Sequence, residues 1–218
     1  MDLELARLPA LERYKLIIGL VIPRPIGWVS TWSENGVANC APFSFFNAIS
    51  EDPPLCILSF NRRSDGAMKH TLKNIRRTGE YVVNLADEST ANAMHVSSDE
   101  IPEAESEFAK TGLTPVAAKI VKHPRIGEAA ASLECKVERI IEFGPERELV
   151  IGEILLIHAR EGIVDPKTKR ISEENYRPIG RLFGSRYCTT RQRFNLPGAL
   201  PAAEPVGFCP TQPKNAER

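Results

Sequence analysis

Arg24-Pro25-Ile26-Gly27-Trp28-Val29-Ser30-Thr31, a turn at Glu34-Asn35-Gly36, and a return through Val37-Ala38-Asn39-Cys40-Ala41-Pro42-Phe43-Ser44 form the stretch that decides the fold. Its pattern is that of a β-hairpin. Ile26, Trp28 and Ser30 fall on one face of a period-2 strand, and Asn35-Gly36 tolerates the positive φ angles of a tight turn. The return strand lacks bulk, because small and polar residues surround Pro42, which has no amide to donate. Such a strand belongs at a sheet edge. Two readings fit it: an edge with a bulge, or a wall against which something flat and polar lies.

The rest of the chain bounds what that hairpin can belong to. With 218 residues and 42% hydrophobic content, the chain can bury a substantial core. One domain over residues 1–197 is expected. Beyond Leu196 come five of the 17 prolines among small and charged residues, so residues 198–218 are expected to be an extended or disordered tail. The 28 basic and 28 acidic residues leave no electrostatic footprint for nucleic acid or an anionic membrane. No apolar run approaches the roughly 20 residues of a membrane span, and Met1 to Arg13 carries acids where a signal peptide would be basic then apolar. A cytoplasmic location is the expectation. Five scattered cysteines without a Cys-x-x-Cys pair read as reduced thiols, and four histidines show no metal-ligand spacing.

Along the chain, Leu8 to Leu20 predicts an amphipathic helix through Leu8, Leu11, Leu16 and Leu20. After the hairpin, Phe45 to Ser50 reads as a short apolar connection, Asp52-Pro53-Pro54 as an extended turn, and Leu55 to Phe60 as a buried strand. Ala67 to Arg77 is the clearest helix, stopped by Thr78-Gly79, and Tyr81 to Leu85 is a strand. Asp87 to Thr114 is acidic and weakly periodic, which predicts short outer helices with a solvated charged face. Ser132 to Phe143 and Leu149 to His158 are expected to pair antiparallel across Gly144-Pro145. Many strands with short connections favour an antiparallel barrel over a doubly wound sheet.

A second concentration of chemistry lies at Asn61-Arg62-Arg63-Ser64 and Lys69-His70-Thr71, where a strand ends and a helix begins. A helix N-terminus offers unpaired amides and a positive dipole end, yet here it also carries cations. An anion or nearby carboxylates must explain the inversion. The first makes the segment a phosphate cradle; the second makes it a solvated cationic helix start. Neither a Gly-x-Gly-x-x-Gly nor a Gly-x-x-x-x-Gly-Lys loop occurs in the chain.

In order, Arg24 to Thr31, Asn39 to Phe46, Asp52-Pro53-Pro54, Lys69 to Ile75, Gly79 to Leu85, Gly152-Glu153-Ile154 and Pro178 to Tyr187 closely resemble the flavin reductase-like family of FMN-binding split barrels. The resemblance covers about Tyr14 to Pro197. It implies a mainly β, antiparallel split β-barrel with peripheral helices. It also implies FMN as cofactor, with the isoalloxazine against Asn39, Cys40, Ala41, Pro42, Phe43 and Ser44, and with Ser30 and Thr31 meeting the ring from the partner strand. The phosphate would sit near Asn61, Arg62, Lys69 and Thr71. Homodimers are implied too, with Arg181 to Tyr187 approaching the other subunit's flavin.

The chain departs from the family at one place. Many short NAD(P)H-dependent members carry Gly-Asp-His before the strand equivalent to Leu149 to His158, whereas this chain has Gly144-Pro145-Glu146-Arg147-Glu148. Arg147 reads either as a cation for a pyridine-nucleotide phosphate or as a solvated salt-bridge partner. Cys40 reads as a small packing residue rather than a redox thiol, and no residue is named as an acid, base or nucleophile. The resemblance therefore implies an FMN-dependent oxidoreductase fed by NADH or NADPH. Its acceptor would be free flavin or another small molecule, with a monooxygenase or redox protein as partner. The alternative is a flavoredoxin-like electron carrier serving protein partners, and a β-barrel binding module without flavin is the third.

Overall fold

The computed structural model describes residues 1–193, so the expected 198–218 tail and Cys209 lie outside the described residues. Helix α1, Ala10–Leu20, leads into the hairpin of β1, Gly27–Trp32, and β2, Ala38–Phe43. Their register pairs Gly27 with Phe43 and Trp32 with Ala38, and Gly36 turns the chain at φ 74°. Next come β3, Phe46–Glu51, β4, Pro54–Asn61, α2, His70–Thr78, and β5, Glu80–Leu85. Two short helices follow, α3, Ala91–Val96, and α4, Glu107–Thr111, then two-residue strands β6, Pro115–Val116, and β7, Arg125–Ile126. The chain continues with the long pair β8, Ala131–Phe143, and β9, Arg147–Ala159, and with β10, Ile179–Arg181, and β11, Tyr187–Thr189.

Seven strands make one antiparallel sheet in the order β2-β1-β5-β8-β9-β4-β3. Mainly β architecture with peripheral helices is thus what forms. The sheet curls until its first edge meets β4, where the Phe43 and Phe60 rings pack 4.5 Å apart at 58°. Inside the curl, Val29, Leu58, Tyr81, Val83 and Val150 form one core, which α2 plugs with Leu72 and Ile75. A second core covers the outer face of β1 and β2, where Trp28 and Cys40 meet Met94 of α3 and Phe108 of α4. Burying these side chains is the main stabilising term, at roughly 1.5–3 kcal/mol for each large one.

Three expectations change. Phe45 to Ser50 is largely strand rather than connection: β3 pairs with β4 through a register shift between Ala48 and Ser50, which breaks the period-2 pattern. No residue of α1 is fully buried; Leu11 and Leu20 are 61% and 79% exposed, so its apolar residues are not spent on this chain's core. The helix expected from Ala67 starts at His70, with Lys69 at its N-cap, and ends where predicted because Gly79 adopts φ 71°. No helix among the described residues is long and apolar enough to cross a membrane.

Candidate functional site

The site is built on the outer edge of β2. The Ala38 carbonyl accepts from Ser106 Oγ at 2.5 Å, and the Cys40 N–H donates to Glu107 Oε2 at 3.2 Å, so α4 covers the strand's open edge that far. By the alternation of a strand, the next outward position is Pro42, which has no N–H to leave unpaired. There the cover stops and a cleft of about 210 Å³ begins, lined by Ala41, Pro42, Phe43, Ser44, Asn61 and Lys69 among others. The edge proline is where a ligand can meet the strand without orphaning a donor.

Beneath the cleft a buried polar network fixes β2. Asn39 Oδ1 accepts from Thr31 Oγ1 at 3.2 Å and from Thr71 Oγ1 at 2.8 Å, while Asn74 donates to Thr31 Oγ1 at 3.0 Å. Asn39 Nδ2 donates to both oxygens of Glu107 at 3.1 Å. Burial raises the Glu107 carboxyl above the ordinary range, against the pull of its own N–H, the Cys40 N–H and Asn39. The Cys40 thiol is pushed up by burial and then by Glu107, so it stays a neutral packing group.

At the start of α2 the charge inversion is answered by carboxylates from the segment beyond α3. Lys69 Nζ lies 3.2 Å from Glu100 Oε1, and Lys73 pairs with Glu103 at 2.8 Å. Glu100 also accepts from the Ser64 N–H at 3.2 and 3.3 Å and from Ser64 Oγ at 2.5 Å. The Ser64 hydroxyl, then its N–H and Lys69, outweigh burial and hold the Glu100 carboxyl at about 2. An amide, a hydroxyl and an ammonium thus already converge on one anion, supplied by the chain itself.

Of the residues singled out by sequence, the cleft brings together Ala41, Pro42, Phe43, Ser44, Asn61 and Lys69. Asn39 and Thr71 line a smaller recess beside it, with Glu107 and Glu100. Ser30, Thr31 and Cys40 have no exposed surface. Ser30 is spent on the Pro124 carbonyl at 2.5 Å and Thr31 on Asn39, so neither side chain is presented to a ring as expected. Arg62 turns away from the cleft, donating to the Pro145 carbonyl at 2.7 Å and pairing with Glu148 at 3.2 Å. Arg147 does not pair with either flanking glutamate; its guanidinium lies 5.2 Å over the Phe45 ring, and both residues line the cleft. The acidic segment is not merely a solvated face, since Glu107 is buried and Asp87 is buried against Arg160 at 2.6 Å.

Sequence reasoning missed Tyr14, Ser98 and Glu107. Tyr14 and Ile18 share a helix face four residues apart, a legible signal. Glu107 carried none, because its partner Asn39 lies 68 residues away.

Comparison with known proteins identifies the setting. The family model described as Flavin reductase like domain matches residues 19–180. A protein of Aquifex aeolicus is 45% identical over 174 residues, which is 80% of this chain and 88% of that one. The structure of nitrilotriacetate monooxygenase component B from Bacillus cereus superposes with a TM-score of 0.85 at 33% identity, covering 90% of this chain and 98% of that chain. That of the Pseudomonas fluorescens 2-nitrobenzoate 2-nitroreductase NbaA gives 0.84 at 35% identity, covering 94% and 100%. With its mainly β split barrel and this match over most of its length, the chain belongs to the flavin reductase-like family.

Proposed function

We propose that the protein is an FMN-dependent oxidoreductase that takes electrons from NADH or NADPH and passes them to free flavin or another small acceptor. In this reading it works in the cytoplasm as a homodimer, alone or beside a monooxygenase or redox protein. The observation that carries it is the cleft at Pro42, where the cover of β2 ends, the wall is small, and an anion receptor stands at one end. The donor set fits a flavin phosphate, since the same groups already hold the Glu100 carboxylate. The names of the nitroreductase and the monooxygenase component support an oxidoreductase with a small acceptor.

FMN, when bound, supplies the redox chemistry by accepting a hydride and passing its electrons on. The chain's own residues bind and orient. Lys69 would exchange Glu100 for the phosphate, with Asn61 donating beside it. Ala41, Pro42 and Phe43 form the wall for the ring. Thr31, Thr71 and Asn74, acting through Asn39, and Glu107, acting on Asn39 and Cys40, keep that wall in place before any ligand arrives. Arg147 over Phe45 completes the lining of the same cleft.

The test is anaerobic mixing of the FMN-loaded protein with NADH or NADPH in a stopped-flow instrument. Bleaching of the flavin's visible band within seconds is expected. If neither nucleotide reduces the flavin over many minutes, while dithionite does and the reduced protein passes electrons to an added protein acceptor, the carrier reading replaces this one.

A further inference from the structure

Beside the first cleft lies a second, of about 290 Å³, sharing Tyr14, Pro42, Ser44 and Ser98 with it. Its chemistry is different. Tyr14, Ile18 and Pro42 supply accessible apolar surface over the buried Ile26 and Met94, and the charged groups on its lining are two guanidiniums, Arg24 and Arg181, with no carboxylate among the lining residues.

Arg24 is only 6% exposed, and its guanidinium is satisfied mainly by neutral oxygens, the carbonyls of Ile18 at 2.6 Å, Val21 at 2.8 Å and Leu182 at 2.6 Å. Arg181 donates to the Tyr187 hydroxyl and to the Gly184 carbonyl, and its guanidinium lies 4.7 Å over the Tyr187 ring. The same hydroxyl lies 3.0 Å from His95 Nδ1. Among the described residues neither arginine has an ion-pair partner. Carbonyl dipoles satisfy the donors without cancelling the charge. Two cations at one partly desolvated, acid-free surface attract an anion more strongly than either would in water.

The apolar part sets the remaining chemistry. Beside Tyr14, Ile18 and Pro42, a bare inorganic ion would leave the exposed apolar wall unused, whereas an aromatic ring would bury it. The volume falls just below the roughly 300–1,000 Å³ of pockets that take drug-sized ligands, which suits one substituted ring rather than a whole free flavin.

We propose that this second cleft is the acceptor subsite and selects a small one-ring aromatic carboxylate, with Arg181 and Tyr187 as its polar end. The inference rests on the reading above, in which flavin occupies the neighbouring cleft; it sets Arg181 to Tyr187 beside the flavin of their own chain rather than the other subunit's, and it decides between that reading's two acceptor classes against free flavin.

The test uses benzoate as probe and benzamide as its neutral isostere, titrated into the FMN-loaded protein by calorimetry and by the perturbation of the flavin's visible spectrum. Benzoate is expected to bind about tenfold or more tightly than benzamide, the scale of a charge-assisted hydrogen bond. Arg181→Gln should collapse that ratio towards one. Tyr187→Phe, which removes only a hydroxyl, should lower it a few-fold and serves if the first variant fails to fold. Equal binding of benzoate and benzamide, inorganic phosphate binding as tightly as benzoate, or a ratio unchanged in the folded variants would overturn the proposal. Because no reduction is involved, a protein that selects benzoate but is not reduced by NADH or NADPH keeps this subsite and loses the reductase reading. Reduction without benzoate selectivity does the reverse.

Discussion

Lys69→Ala should weaken FMN binding while leaving riboflavin untouched, because in the proposed site this side chain meets only the phosphate. A charge-assisted hydrogen bond to phosphate contributes about 1.5–3 kcal/mol. The structure imposes a deduction. Lys69 is already paired with Glu100 at 3.2 Å, with the two side chains 24% and 30% exposed, and that pair must open first. A solvent-accessible pair of this kind is worth about 0.2–1 kcal/mol. The net expectation is about 0.5–2.8 kcal/mol, or roughly 2- to 100-fold in Kd. Glu100→Gln should act in the opposite direction, tightening FMN a few-fold by weakening the internal competitor. Titrating the apoprotein and both variants with FMN and with riboflavin, followed by quenching of flavin fluorescence, measures all six affinities. Equal weakening of both flavins in Lys69→Ala, or no change for FMN, would refute the phosphate site.

Stability should fall on acidification in two windows. Burial holds His123 at about 4, Glu80 raising and Arg77 lowering it further, while its Nδ1 accepts the Trp32 N–H at 2.8 Å. The unfolded chain takes that proton near 6.5 and the native state only near 4, so this contribution is lost between those values. Burial would raise Glu134, but the Lys119 N–H, His158 and the Val121 and Ile120 N–H groups hold it at about 2, so its contribution disappears from about 4.5 downward. A denaturation midpoint that rises between pH 7 and pH 4 would contradict the first assignment. Gly152→Ala places a Cβ against the Tyr81 hydroxyl and should cost about 1–3 kcal/mol in urea unfolding; in a Tyr81→Phe background the cost should shrink, and strict additivity would show that the crowding is absent. Light scattering of the FMN-bound protein should give about twice the 24.2 kDa chain mass, and a monomer at micromolar concentration would remove the dimer from the reading.

The hairpin was legible because two local signals coincide in it, the period-2 face of Ile26, Trp28 and Ser30 and the Asn35-Gly36 turn. Helix α2 ended where Gly79 said it would. Strand β3 was hidden by its own irregularity, since the shift between Ala48 and Ser50 erases the alternation that would have marked it. The candidate site divided along the same line. Ala41 to Ser44 and Lys69 announce themselves by composition, a bulkless strand around a proline and a cation at a helix start. Ser30 and Thr31 looked like ligand contacts because hydroxyls on a presumed site strand resemble donors, yet they serve Pro124 and Asn39. Glu107 looked solvated because acids in such a run usually are. Its burial follows from α4 folding onto β2, a tertiary contact that no local pattern encodes.

In the proposed function, flavin lies where the cover of β2 ends. A crystal structure of the FMN complex tests it directly. The isoalloxazine should pack against Ala41 to Ser44, with the phosphate within hydrogen-bond distance of Lys69 and Asn61 and with Glu100 displaced from Lys69. A ring bound elsewhere, or a phosphate held by groups on another element while Lys69 and Glu100 stay paired, would contradict it.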